Sequence, residues 1–195
     1  MNNVLEIDDT NMIAMKLLHY FITEKNYTPI VLNGVDDEIW LENLDEDCEI
    51  IRIVIGHIHN EEQYKFDVFK TNRIIKKIKA KTFSFRLNVL SIFLNLGSSV
   101  DLTKELPKRG RAVHITDEKD VKNNKLLLED YPDLYKNISN NKETGADLFF
   151  KITDEINEHN YQDHTKTDKI FMPKKAIITA ILVFLNVALF FVPLL

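Results

Sequence analysis

The stretch LNVLSIFLNL, Leu87 to Leu96, decides the fold. Side chains alternate across a β-strand, so a strand with one wet face shows an apolar residue at every second position. This stretch is apolar on both alternating sets, as a central strand covered on two sides would be. Gly97, Ser98 and Ser99 end it. A sheet covered on both faces needs helices around it, and the flanking sequence supplies them. Upstream, Glu61 to Lys81 is long, charged and rich in helix formers, with Tyr64, Val68, Phe69, Ile75 and Ile78 predicted as its buried face. Before it, Pro29–Leu32, Glu38–Leu41 and Glu49–Ile55 read as a three-strand meander. Asn33-Gly34 and the acidic stretch Asn43–Asp47 separate these strands. From Asn11 to Lys25, Met12, Met15, Leu18, His19 and Ile22 recur at helical spacing, with Thr10 or Asn11 placed to cap the start.

Downstream of the central strand lie a short strand at Ala112–Ile115, a short helix at Val121–Glu129 broken before Pro132, and an amphipathic helix from Glu143 to His159. The expectation is a single α/β domain with a mixed sheet over residues 1–159, in the order helix, three strands, helix, strand, strand, helix, helix. Residues 160–175 are polar and without periodicity, and read as a linker. Ala176 to Leu195 carries no charge, and Thr179 and Asn186 are its only polar side chains. Twenty helical residues are about 30 Å long, the thickness of a hydrocarbon core, so a transmembrane helix is predicted there. Lys174 and Lys175 immediately precede it and by the positive-inside rule hold the N-terminal domain in the cytoplasm.

Composition narrows the function classes. A net charge of −5 and the absence of Pro, Gly or Ser tracts disfavour nucleic-acid binding and wholesale disorder. The single cysteine, Cys48, cannot form an internal disulfide, as suits a reducing compartment, and no His or Asn stands at motif spacing to make it a nucleophile.

The first helix followed by VDDEIWLENL, then a charged helix running into KIKAKTFSFRLNVLSIFLN, resembles the cytosolic N-terminal domain of a subgroup of rhomboid intramembrane serine proteases of Gram-positive bacteria. The resemblance continues into the apolar run, where Pro173 and Asn186-Val187 match the proline-containing entry and the N-V pair of a first rhomboid membrane helix. A rhomboid's chemistry needs a serine in a G-x-S-G turn and a histidine on later membrane helices. G-S-S-V at Gly97–Val100 lacks the second glycine and precedes the span, so the resemblance implies a truncated rhomboid, without proteolytic activity of its own. Its partners would be membrane-protein substrates or regulatory proteins.

Several side-chain groups invite a sharper reading. Eight acidic residues between Asp36 and Glu49 could hold a divalent cation, but the stretch lacks the glycine and spacing of an EF-hand loop, and a solvated acidic turn is the default. His57 and His59 are two apart, so a strand would point both the same way, with Glu61 close behind; His159, Asp163 and His164 form a second group. Neither supplies four strong ligands, so no cofactor is expected beyond a weak divalent cation. Arg73, Lys76, Lys77, Lys79 and Lys81 make a basic cluster suited to anionic headgroups. Because the cluster has no interleaved aromatics, a solvated helix face is the expectation.

The order helix, three strands, helix, strand also resembles the core of the PD-(D/E)xK nucleases. Those enzymes need an Asp and an E-x-K on adjacent strands, and in EIIRIVI Glu49 is followed by Ile50, Ile51 and Arg52. Three readings therefore compete: the regulatory domain and first span of a rhomboid, a self-sufficient tail-anchored interaction protein, and a catalytically inactive nuclease-like domain.

Overall fold

The computed structural model describes residues 9–156, apart from 31, 33–34, 36, 83–85, 144–146 and 149. Nearly all of them belong to the first of two compact units, Met1–Thr153. It is an α/β domain built on a five-stranded mixed sheet in the order β1-β2-β3-β4-β5, the strands being Thr28–Pro29, Glu38–Glu42, Ile50–Val54, Val89–Phe93 and Gly110–His114. The first three form the antiparallel meander read from the sequence, and β4 and β5 follow parallel to β3. A parallel neighbour demands a crossover, and the helix α2, Glu61–Thr82, makes it between β3 and β4. Pro29 lies on the edge strand, where its missing N–H leaves no gap inside the sheet.

Strands β3 and β4 are buried at every position. The side chains facing α2 fall into two apolar clusters. Trp40, Ile50 and Val89 pack with Ile74, Ile75 and Ile78 of α2, and Val54 and Phe93 pack with Tyr64 and Val68. On the opposite face Leu41, Ile51, Ile53, Leu90 and Ile92 have no solvent exposure, which leaves α1 (Asp9–Thr23) and the helices after β5 to cover them.

Four sequence expectations change. Helix α1 buries Ile13, Leu17, Tyr20 and Phe21 together with the expected His19 and Ile22, whereas Met12, Met15 and Leu18 are only half-buried, and the helix starts at Asp9, so Thr10 and Asn11 lie inside it rather than capping it. Phe69, expected on the buried face of α2, is 59% exposed. The helix expected at Val121–Glu129 is two, α3 (Glu118–Asn123) and α4 (Lys125–Asp130). Asn124 lies between them, and its side chain accepts the Leu127 N–H. A further helix, α5 (Leu134–Asn140), follows Pro132, before the helical residues 147–148 and 150–156, among which Leu148 and Ile152 are buried. Residues 157–195 lie outside the described residues. With them lie His159, Asp163, His164, Lys174, Lys175, the linker and the apolar run. Among the described residues no helix is long and apolar enough to cross a membrane.

Candidate functional site

Between the two apolar clusters that α2 covers lies a polar layer. The register sets Trp40, Arg52, Ser91 and Ala112 side by side across β2 to β5. Period-two alternation therefore turns Arg52 toward α2, at the middle of the sheet, where its side chain is 1% exposed. A charge in such a place is tolerated only with partners. Arg52 has two carboxylates. Asp67 of α2 takes a two-pronged pair, Nη1 to Oδ2 at 2.8 Å and Nη2 to Oδ1 at 2.5 Å, and Glu38 of β2 accepts from Nε. Lys70, one turn beyond Asp67, bonds the other Glu38 oxygen and reaches the rim of the layer. The guanidinium also lies 5.4 Å from the Trp40 ring and 5.6 Å from that of Phe93, an arrangement favourable to a delocalised cation. The Trp40 indole donates to Glu38 at 3.0 Å, so the aromatic expected to be core is core and hydrogen-bonded as well.

The electrostatics follow from this pairing. Burial alone would raise the Glu38 carboxyl, but the Arg52 guanidinium and then the Lys70 ammonium outweigh it and hold it below the ordinary carboxylate range. Burial pulls Arg52 down, and Asp67 and Glu38 more than restore it. Pairing thus favours the charged forms of both Glu38 and Arg52. Two hydroxyls in the same interface, Thr71 Oγ1 and Ser91 Oγ, are buried and have no hydrogen-bond partner among the described residues.

Above the rim opens a cleft of about 630 Å³ whose walls include His57, His59, Glu62, Asp67 and Lys70. The two histidine rings lie against each other at a 36° tilt with centroids 4.0 Å apart, so they do share one side, as their spacing requires. Glu61 does not join them: its carboxylate accepts from the Asp101 N–H at 2.8 Å and from Lys104 at 3.2 Å, on the loop before β5. Among the described residues no group of three or more His, Cys, Asp or Glu stands close enough to hold a metal ion. Gly97 closes the back of this loop. A Cβ there would stand 2.3 Å from the His59 carbonyl oxygen, so glycine lets the chain after β4 lie against the His57–His59 segment.

The acidic run disperses rather than gathers. Glu38 enters the polar layer, Glu49 accepts the Asn88 N–H at 2.6 Å, and Asp45 and Asp47 are exposed in the turn between β2 and β3. Cys48 is buried, and burial pushes its thiol up despite the opposing Arg111 charge. In the basic cluster, Arg73, Lys76 and Lys77 are exposed and Lys79 is half-buried, while nothing is described of the Lys81 side chain.

The Glu38–Arg52–Asp67–Lys70 network escaped the sequence reading. Its signal was present: a lone arginine inside the apolar run EIIRIVI, and a carboxylate at position 67 in the stripe that α2 buries. A charge at a position that periodicity marks as core requires an opposite charge at a facing core position. No known protein-family model matches the chain, and no curated protein matches it.

Proposed function

We propose that the chain is a membrane-anchored protein of rhomboid type whose α/β domain is a cytosolic, non-catalytic regulatory or partner-binding module. Two features support the anchored half of this reading: the uncharged run 176–195 and its flanking Lys174 and Lys175. One observation carries the non-catalytic half. The element order α1–β1–β2–β3–α2–β4 is the one for which the chain resembles a PD-(D/E)xK nuclease core. On β3, where that chemistry needs a carboxylate and a lysine around a phosphate, the inward side chain is Arg52, locked to Asp67 and Glu38. Carboxylates committed to a buried guanidinium do not coordinate an ion as well. A domain of this order with its central charges spent on one another is suited to binding.

The test is fractionation of bacteria that express the chain. It is expected in the membrane fraction after alkaline washing, with the α/β domain resistant to protease added to intact spheroplasts. Release by the wash, or digestion from outside, defeats the anchored reading. The purified chain should label with no fluorophosphonate probe and cleave no DNA in the presence of Mg²⁺ or Mn²⁺. Metal-dependent cleavage lost in an E38Q variant would put a nuclease in place of the binding module.

A further inference from the structure

The outward face of α2 differs from an ordinary solvated helix. Phe66 and Phe69 are 67% and 59% exposed, two of the few large apolar side chains so placed among the described residues. They stand on the same side as Arg73, Lys76 and Lys77, because residues three, four and seven apart share a helix face. The Arg73 guanidinium lies 5.8 Å from the Phe69 ring centroid. Beside them is a cleft of about 290 Å³ lined by Phe66, Phe69 and Ile74 and by the cations Lys70, Arg73 and Lys77. Lys76 and Lys77 form no ion pair among the described residues. The cluster thus does have aromatics beside its cations. They come from the turn before it, and they were hidden from the sequence by the assignment of Phe69 to the core.

We infer that this face of α2 docks on an anionic phospholipid surface, with Phe66 and Phe69 at the level of the headgroups and Arg73, Lys76 and Lys77 on their phosphates. Charge selects the partner: the chain as a whole is at −5, so a cationic face with exposed rings is a local exception that attracts negative charge. Tethering selects a bilayer over an acidic protein, because the inference rests on reading 176–195 as a membrane span, and a span holds the domain near one leaflet. The linker read at 160–175 would reach roughly 20–24 Å as a flexible coil, which keeps the effective concentration of lipid high. Aromatic rings rimmed by lysine and arginine suit an interface that is apolar on one side and charged on the other.

The experiment uses the full chain carrying F69W, with the wild type as blank for the buried Trp40, reconstituted with vesicles of phosphatidylcholine alone or mixed with phosphatidylglycerol. Flotation reports anchoring, and quenching of the introduced indole by brominated lipid reports docking. The expected result is flotation with both vesicles, and quenching only where phosphatidylglycerol is present. Molar salt should remove the quenching, and each of R73E, K76E and K77E should weaken the phosphatidylglycerol preference by roughly fivefold or more. A chain that floats with both but is quenched in neither overturns the inference and leaves the anchored reading standing. A chain that does not float on phosphatidylcholine defeats anchoring. The α2 contact would then still be supported by flotation on phosphatidylglycerol lost in the charge reversals, and overturned if no flotation occurs.

Discussion

Arg52 joins α2 to the sheet through paired charges at the centre of an otherwise apolar interface. A buried ion pair repays its desolvation only with full pairing, so the network is better regarded as a register device. It aligns Asp67 of α2 with the centre of β3 and separates two apolar clusters that could otherwise slide past one another. Removing one partner strands the others. R52A or D67A is expected to cost about 3–5 kcal/mol in urea unfolding. The fluorescence of the single Trp40 is a local reporter, since the guanidinium lies against its ring. The triple variant R52M/E38L/D67L should recover most of that loss, and no recovery would mean that the layer is stabilising in itself. Cys48 gives a second prediction at this scale. Buried, with its thiol pushed up and donating to the Ile50 carbonyl at 3.5 Å, it should react with a thiol reagent only as fast as the domain opens. Rapid modification of the native chain would contradict that environment.

Among the elements, the divided helix after β5 is the instructive case. Apolar periodicity runs through 121–129 without marking a break, yet Asn124 adopts an extended conformation and accepts the Leu127 N–H at 3.0 Å. It thereby ends α3, donating its own N–H to the Val121 carbonyl, and starts α4. N124A should therefore cost about 1 kcal/mol, the usual worth of an N-cap, and a loss within a few tenths would mean that packing of Val121 and Leu127 holds the break unaided. Asp117 caps α3 by accepting from the Lys119 and Asp120 N–H groups, so the helix begins at Glu118, ahead of the Val121 at which apolar periodicity sets in. Helix α2 shows the converse: composition marks its ends to within a residue, but apolar spacing alone does not separate the exposed Phe69 from the buried Tyr64, Val68, Ile75 and Ile78.

For the domain as a whole, the pairings predict how stability depends on pH. Burial depresses His114, with Asp120 only partly opposing, so it is neutral in the folded state where an unfolded histidine would begin to charge. Its contribution is complete above the unfolded value of about 6.5 and declines as pH falls below it. Glu38 is depressed too, but as an acid it contributes fully above the unfolded carboxylate value of about 4.3 and loses that contribution as pH falls through its lower folded value. Unfolding midpoints should therefore be flat above neutrality, fall modestly through mildly acidic pH, and fall steeply in the carboxylate range. H114F should remove the first step and leave the second, and a single step unchanged in H114F would refute the assignment.

The sequence by itself determined the class of the fold and the order of its main elements, because period-two and period-3.6 hydrophobicity are local consequences of chain geometry. LNVLSIFLNL announced a strand buried on two sides, and β4 within it is buried at every residue. Of the candidate site, the shared side of His57 and His59 was legible for the same local reason. What only the tertiary structure decided was partnership. That Arg52 meets Glu38 and Asp67, that Glu61 turns away to Asp101 and Lys104, and that Phe69 faces outward all depend on how far α2 rotates as it lies across the sheet. Periodicity leaves that rotation uncertain by about one residue, roughly 100° of helix. The long-range pairing of buried charges resolves it.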